Sequence, residues 1–398
     1  MLLAPGSAAA TERFERVVAG DVRNETIVDA AAARGVTLVV VGPEQFLAEG
    51  LVDELEARGI PAFGPTRSAA RLESSKWFAK TVLDARAIPT AHAVRCGTPA
   101  EVDAALERAA APFVIKADGL RAGKGVLVTS DRADARRFAV ACLESALKTE
   151  ERAAVVVEEH LEGEEVSVMA VTDGRRFVLL PPARDYKRVD DGDRGPNTGG
   201  MGAFAPSPAL DERLEQEIGA RIVQPALDEM VDRGAPFRGI LYCGLMLTAG
   251  GPMVLEFNAR FGDPETQVVL PLVGGDFARL LGSAAAGALD AGACAREPGA
   301  CVAVALVDRG YPEALGGGVI EGVDGLASEP DVQVLGAGME RDGERWRLTG
   351  GRAAYVTARA ATLREARERA YAAVGRLGGT GWKHRTDIAA APALAARG

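Results

Sequence analysis

The stretch MVLEFNARFGDPETQ, residues 253–267, gathers several side chains able to do chemistry together. It reads as a strand left through Asn258, Gly262 and Pro264, and it presents Glu256, Asn258, Arg260, Asp263 and Glu265 on the way. Residues two apart in a strand share a face, about 7 Å from one another. Glu256 and Asn258 thus offer neighbouring oxygen ligands at a strand's end. Such a pair suits Mg²⁺, which takes hard oxygens, keeps some waters and commonly shares its shell with substrate phosphates. Arg260 and Asp263 follow on irregular backbone, where ligand-handling residues concentrate. Taken alone, a strand ending E-x-N is more often a hairpin edge with solvated polar residues.

Cations come from two other stretches. Residues 113–117 (FVIKA) read as a strand, 118–125 (DGLRAGKG) as a flexible loop and 126–129 as a returning strand. Glycines let backbone N–H groups wrap an anion, so Gly123, Lys124 and Gly125 read as a phosphate lid, with Lys124 adding a point charge. The spacing is one residue short of a Walker loop and lacks its Ser/Thr. Lys116, pointing inward from an apolar strand, needs an anionic partner. A generic Gly-rich hairpin explains the glycines but not both lysines. Lys76 lies early in a helix, where a lysine is ordinarily just solvated.

Residues 153–157 (AAVVV) form another expected strand, running into Glu158, Glu159, His160 and Leu161 and on to Glu165. A strand end offers backbone groups to an adenine edge, and a later carboxylate can take ribose hydroxyls; an acidic surface turn is an adequate alternative. Residues 185–204 (DYKRVDDGDRGPNTGGMGAF) read as a long loop, a length usually functional or disordered. There Lys187, Arg188, Asn197 and Thr198 are spaced among glycines that allow close approach to a small substrate, Gly199 and Gly200 included.

These residues need elements to hold them. Residues 36–41 (VTLVVV) fit a buried parallel strand. Leu47, Leu51 and Leu55 then recur at helical spacing up to Gly59, and 61–65 form a second short strand and turn. This β–GPE–α–β order suggests a doubly wound sheet, with Gly42, Pro43 and Glu44 at its ligand-binding edge. Residues 211–233 read as a helix, and 239–248 as a strand that returns through Ala249, Gly250 and Gly251 into the 253–258 strand.

Composition limits the alternatives. The 398 residues suffice for two or three domains, and a 47% hydrophobic and 26% charged content is ordinary for a soluble protein. A net charge of −10 argues against a nucleic-acid surface while leaving room for a local basic pocket. Five scattered cysteines indicate neither disulfides nor zinc, and three histidines disfavour a His-centred site. No run of about 20 apolar residues could span a membrane, and the N-terminus does not read as a signal peptide, so a cytoplasmic location is expected.

The segments KADGLRAGKGV, VVVEEHLEGEE, DYKRVDDGDRGPNTGGMGAF and VLEFNARFGDPETQ resemble the phosphoribosylamine–glycine ligase family of the ATP-grasp superfamily. The resemblance runs from about residue 4 to the C-terminus. It implies a carbon–nitrogen ligase of purine biosynthesis using ATP and Mg²⁺ (or Mn²⁺). ATP phosphorylates the glycine carboxylate, and 5-phosphoribosylamine attacks the acyl phosphate to give glycinamide ribonucleotide, ADP and phosphate. It also implies metal on Glu256 and Asn258, and phosphates on Lys76, Lys116 and the 123–125 lid. Adenine would lie along 158–161, Glu159 and Leu161 included, with ribose on Glu165. Arg260 and Lys124 would be the catalytic residues, Arg260 also helping to hold glycine and the phosphoribosyl group. Glu44, Lys187, Arg188, Asn197, Thr198, Gly199, Gly200, Asp263 and Glu265 would hold glycine and the phosphoribosyl group. The expected partners are these small molecules, not nucleic acid or membrane, and the expected assembly is a monomer or weak dimer.

The implied fold is α/β: an N-terminal doubly wound domain at 1–75, an ATP-grasp domain at 76–296 with its lid at about 98–165, and a small C-terminal α/β domain at 297–398. The family pattern normally opens with a GNGGREHA-like strand and loop, and this chain starts about 25 residues into it, without that first βα unit. Ser74-Ser75 stands where Gly-Ser is usual, and Tyr186 where His is usual. The alternative is a remnant that binds MgATP but cannot hold phosphoribosylamine.

Overall fold

The computed structural model describes residues 1–18, 22–121, 125–147 and 154–395. Near the N-terminus Val39–Val40 pairs in parallel with Ala62–Phe63. Leu47, Leu51 and Leu55 are all buried, as their period demands, but on two helices, Glu44–Glu49 and Leu51–Ala57. Gly50 breaks them apart with φ +87°, the left-handed conformation open to glycine. A second break follows at Ser75, which leaves the helix Arg67–Ser74 with extended backbone and caps the next, Lys76–Ala85, by accepting from Phe78 N at 3.1 Å.

Two antiparallel sheets form the middle of the molecule. The first runs Ala93–Cys96, Val155–Glu158, Phe113–Ala117, Val126–Thr129 in spatial order. The expected strand–loop–strand is present, although Gly123 and Lys124 lie outside the described residues. Helices Pro99–Arg108 and Arg132–Leu147 pack against this sheet. The second sheet runs Phe177–Leu179, Glu164–Asp173, Arg238–Thr248, Gly251–Asn258. Its last hairpin carries a bulge: Gly244 faces Glu256 and Leu245 faces Val254, so Leu255 is the extra residue just before the candidate ligands. The expected helix at 211–233 is Glu212–Ile218 and Gln224–Asp232 joined by a π turn, Gly219–Val223. One apolar core joins the N-terminal helices to a face of this second sheet through Leu47, Leu55, Leu72, Val166, Leu227 and Phe257.

The expected long loop at 185–204 is replaced by strands. Arg188–Asp190 pairs with Arg194–Asn197, turning through Gly192 and Asp193, both at positive φ. Gly202–Ala205 pairs with Ala300–Asp308 and so enters the C-terminal sheet, ordered Arg184–Asp185, Gly202–Ala205, Ala300–Asp308, Arg352–Ala360, Val332–Gly336. Gly202 is needed there, because a Cβ would stand 2.5 Å from Ala303 O. Tyr186, also in this stretch, is buried and its hydroxyl accepts from Ala389 N at 3.0 Å. Helix Leu363–Val374, with a Thr362–Glu365 capping box, packs on the C-terminal sheet. Among the described residues no helix is long and apolar enough to cross a membrane.

Candidate active site

A cavity of about 670 Å³ opens where the three regions meet. Glu256 and Asn258 line it from the strand end beyond the bulge, with Lys116, Gly125 and Glu158 from the first sheet and Lys76 from the start of the helix Lys76–Ala85. Gly42, Pro43 and Glu44 contribute from the N-terminal region, Arg260 and Asp263 from the segment after the strand, and Gly199 and Arg352 from the C-terminal side.

Burial alone would push the Glu256 carboxyl up. Lys187, Lys116, Lys76 and Arg260 outweigh it and hold the carboxyl below its ordinary range, so Glu256 is an anion. Asn258, with its amide oriented so that nitrogen faces acceptors, donates to Phe257 O (3.2 Å) and Glu73 Oε1 (3.1 Å), which turns its carbonyl oxygen away from Glu73. An ionised carboxylate and an amide oxygen on one strand face are hard donors that fit a divalent cation. Among the described residues there is no group of three or more acidic, His or Cys side chains that could hold a metal, so such an ion would complete its shell from phosphate oxygens and water.

Behind Glu256 and Asn258 lies a second rank of charge. Arg260 Nε stands 3.3 Å from Glu44 and Nη2 3.4 Å from Glu73, while Nη1 donates to Phe261 O at 3.1 Å. Glu73 accepts from Ala259 N at 2.7 Å. Burial raises its pKa to about 7, against the pull of Arg260 and the Ala259 N–H, and Glu44 and Glu256 add to the rise. Burial lowers the pKa of Lys76, whose ammonium donates to Gly119 O at 3.2 Å; Glu256 works in the opposite sense. Lys116 donates to the carbonyl of the bulged Leu255 at 2.8 Å and pairs with Glu158 at 2.9 Å.

Other expected site residues are not among those that line this cavity. Glu159 donates its N–H to His92 O at 2.9 Å, and Leu161 follows on the half-buried connection to the next strand. Glu165 pairs with Lys187. Burial opposes the charge on Lys187, but Asp185 and Glu165 overcome it and raise its pKa. Asp185 is itself shifted up by burial, with Lys187 opposing and Glu265, Glu165 and Glu256 reinforcing. Glu265 accepts at Oε1 from Ser167 Oγ and Tyr242 OH, both at 2.8 Å. Thr198 bonds to Lys187 O through both its N–H (2.7 Å) and Oγ1 (2.8 Å), and Gly200 N donates to Thr198 Oγ1 at 3.0 Å. Arg188 and Asn197 face one another across the hairpin, and Arg188 Nη1 donates to Gly195 O at 2.8 Å.

Residues not singled out from the sequence complete the site. Asp263 is gripped by Arg352 Nη2 (2.7 Å), Tyr355 OH (3.0 Å) and Gln267 Nε2 (2.8 Å), while Arg352 also donates to Gly199 O. Lys80 lines the cavity one helical turn beyond Lys76, a spacing that could have flagged it. Glu73 and Arg352 had no such signal.

Comparison with known proteins follows this division of the molecule. The N domain, ATP-grasp (A) domain and C domain of phosphoribosylglycinamide synthetase match residues 1–73, 74–266 and 301–391. A phosphoribosylamine–glycine ligase of Streptomyces coelicolor is 48% identical over 391 residues, 97% of this chain and 92% of the relative. One from Leifsonia xyli subsp. xyli is 47% identical, over 98% of this chain and 93% of the relative. The crystal structure of phosphoribosylamine–glycine ligase from Thermotoga maritima superposes with a TM-score of 0.82 at 33% identity, covering 97% of this chain and 93% of that one.

Proposed function

The chain belongs to the phosphoribosylglycinamide synthetase family, and on that premise we propose how its residues divide the work of the reaction. The activity is ATP-dependent ligation of glycine to 5-phosphoribosylamine, a carbon–nitrogen bond-forming step of purine biosynthesis. Matches to all three domains of the family argue against a remnant that binds nucleotide alone.

One observation carries the assignment of roles: Glu256 and Asn258 share a single cavity with Lys76, Lys116 and Arg260. A glycine carboxylate oxygen attacks the γ-phosphorus of ATP and ADP leaves. The amine nitrogen then attacks the acyl carbon, loses a proton, and phosphate departs. Neither step needs a protein nucleophile; both need alignment and cancellation of phosphate charge. The divalent ion the family requires would be held by Glu256 and Asn258, Mg²⁺ by donor hardness with Mn²⁺ as the alternative, and would neutralise phosphate oxygens. Lys76 and Lys116 supply fixed positive charge to the nucleotide. The backbone of 158–161 borders the adenine, and Glu165 lies toward the ribose. Arg260, held between Glu44 and Glu73, faces the reacting carboxylate. Asp263 and Arg352, with the Gly199–Gly200 turn, hold the phosphoribosyl group, and Lys187 and Glu265 frame the amine side.

The test is ADP release dependent on both glycine and phosphoribosylamine, measured for the chain and for Glu256→Gln. Loss of one ligand charge should lower kcat about 100-fold or more and raise the metal concentration needed for half-maximal rate. Unchanged metal dependence would remove Glu256 from the metal site.

A further inference from the structure

Lys80 borders the cavity, yet its ammonium is already engaged. It is 4% exposed, donates to Thr90 Oγ1 (2.8 Å) and Ala91 O (3.0 Å), and stands 3.5 Å from Glu158 Oε1. An ammonium has three donors, and these acceptors occupy them. The other oxygen of the same carboxylate, Glu158 Oε2, takes Lys116 at 2.9 Å. Lys116 also donates to Leu255 O, which leaves it one N–H. A row of charges, positive, negative, positive, therefore runs from the helix Lys76–Ala85 through Glu158 to Lys116. It ends on the bulged carbonyl just before Glu256.

The row has an electrostatic consequence. Glu158 and Lys116 by themselves sum to zero and would offer a phosphate little attraction. With Lys80 included the row carries one net positive charge, in surroundings where charges are weakly screened. Burial lowers the Lys80 pKa, Glu158 raises it and Lys116 lowers it, so Lys80 feels both neighbours in the row.

We propose that Lys80 and Glu158 are positioning residues for the nucleotide: Glu158 orients the Lys116 ammonium, and Lys80 neutralises Glu158 so that Lys116 meets phosphate as an uncompensated cation. This rests on the reading of Lys116 as a phosphate ligand.

Titration calorimetry of the full chain with MgADP tests it. Lys80→Met leaves Glu158 to cancel Lys116 and should weaken MgADP binding about tenfold or more. Glu158→Gln keeps an acceptor beside Lys116 but removes the negative charge, so it should bind at least as tightly as wild type. The double variant should recover to within about threefold of wild type, because Lys116 is again uncompensated. A lysine that merely fills space would make the double variant as weak as Lys80→Met or weaker, and that result overturns the proposal. So does binding by Lys80→Met within about twofold of wild type. Thermal melts report whether each variant folds; if Lys80→Met does not, weaker binding by Glu158→Gln alone is decisive against the proposal. Absence of binding by the wild-type chain would refute the functional reading as well, whereas wild-type binding with no rescue refutes this inference alone.

Discussion

Arg260 shows how much one side chain's shape contributes. Its planar fork meets Glu44 on one edge and Glu73 on another while turning a third N–H to Phe261 O. A lysine ammonium is a point charge and cannot keep these directions together. Burial opposes the charge, but Glu73 and Glu44 outweigh it and raise the Arg260 pKa, so the group stays protonated across the working range of pH. Arg260→Lys should therefore leave the fold intact and lower kcat about 100-fold, read by steady-state ADP release. A rate within about threefold of wild type would show that charge alone suffices there.

At the scale of elements, the hairpin Arg188–Asp190 and Arg194–Asn197 has little core of its own and is held from outside. Arg385, 1% exposed, donates to Arg188 O (2.9 Å), Asp193 (2.8 Å) and both oxygens of Asp387 (2.7 and 2.6 Å). Asp387 in turn accepts from Gly192 N at 2.8 Å. Burial pushes the Asp387 carboxyl up, but the Arg385 and Gly192 hydrogen bonds prevail and bring it down to about 2. A depressed carboxyl stabilises the fold fully above its unfolded pKa of about 3.9, and the contribution disappears as pH falls through about 2. Urea melts should accordingly show Asp387→Asn less stable than wild type at pH 6, with the gap narrowing between about pH 4 and pH 2. A gap independent of pH would exclude the ionic contribution. Arg385→Met should destabilise the protein at neutral pH more than Asp387→Asn in the same melts, since it removes the hydrogen bonds to Arg188 O and Asp193 as well as those to Asp387.

At the scale of the whole molecule, the site exists because the C-terminal sheet docks against the loop after the strand Gly251–Asn258. Arg352 opens the strand Arg352–Ala360, and its guanidinium joins Asp263 to Gly199 at the cavity wall. Gly200 permits this approach, because a Cβ there would stand 2.4 Å from Pro264 Cδ at a φ of +113°. The C-terminal region thus supplies a cation to the cavity as well as packing. Arg352→Met should raise KM for phosphoribosylamine about tenfold or more while KM for ATP changes little. Equal changes in both would show that Arg352 acts by holding the domains together.

Local chemistry and periodicity were enough to locate the strand tip at Glu256 and Asn258, the lysine strand and its return, the hairpin into the strand Gly251–Asn258, and the buried face of Leu47, Leu51 and Leu55. Each depends on neighbours a few residues away, through side-chain alternation, helical spacing or turn-forming glycines. The break at Gly50, the bulge at Leu255, the entry of Gly202–Ala205 into the C-terminal sheet, and the charge row from Lys80 to Lys116 belong to the tertiary structure. Lys116 meets Leu255 across 139 residues of chain and Arg352 meets Asp263 across 89. No propensity or period encodes such a meeting, because strand pairing and sheet docking decide which distant side chains face one another.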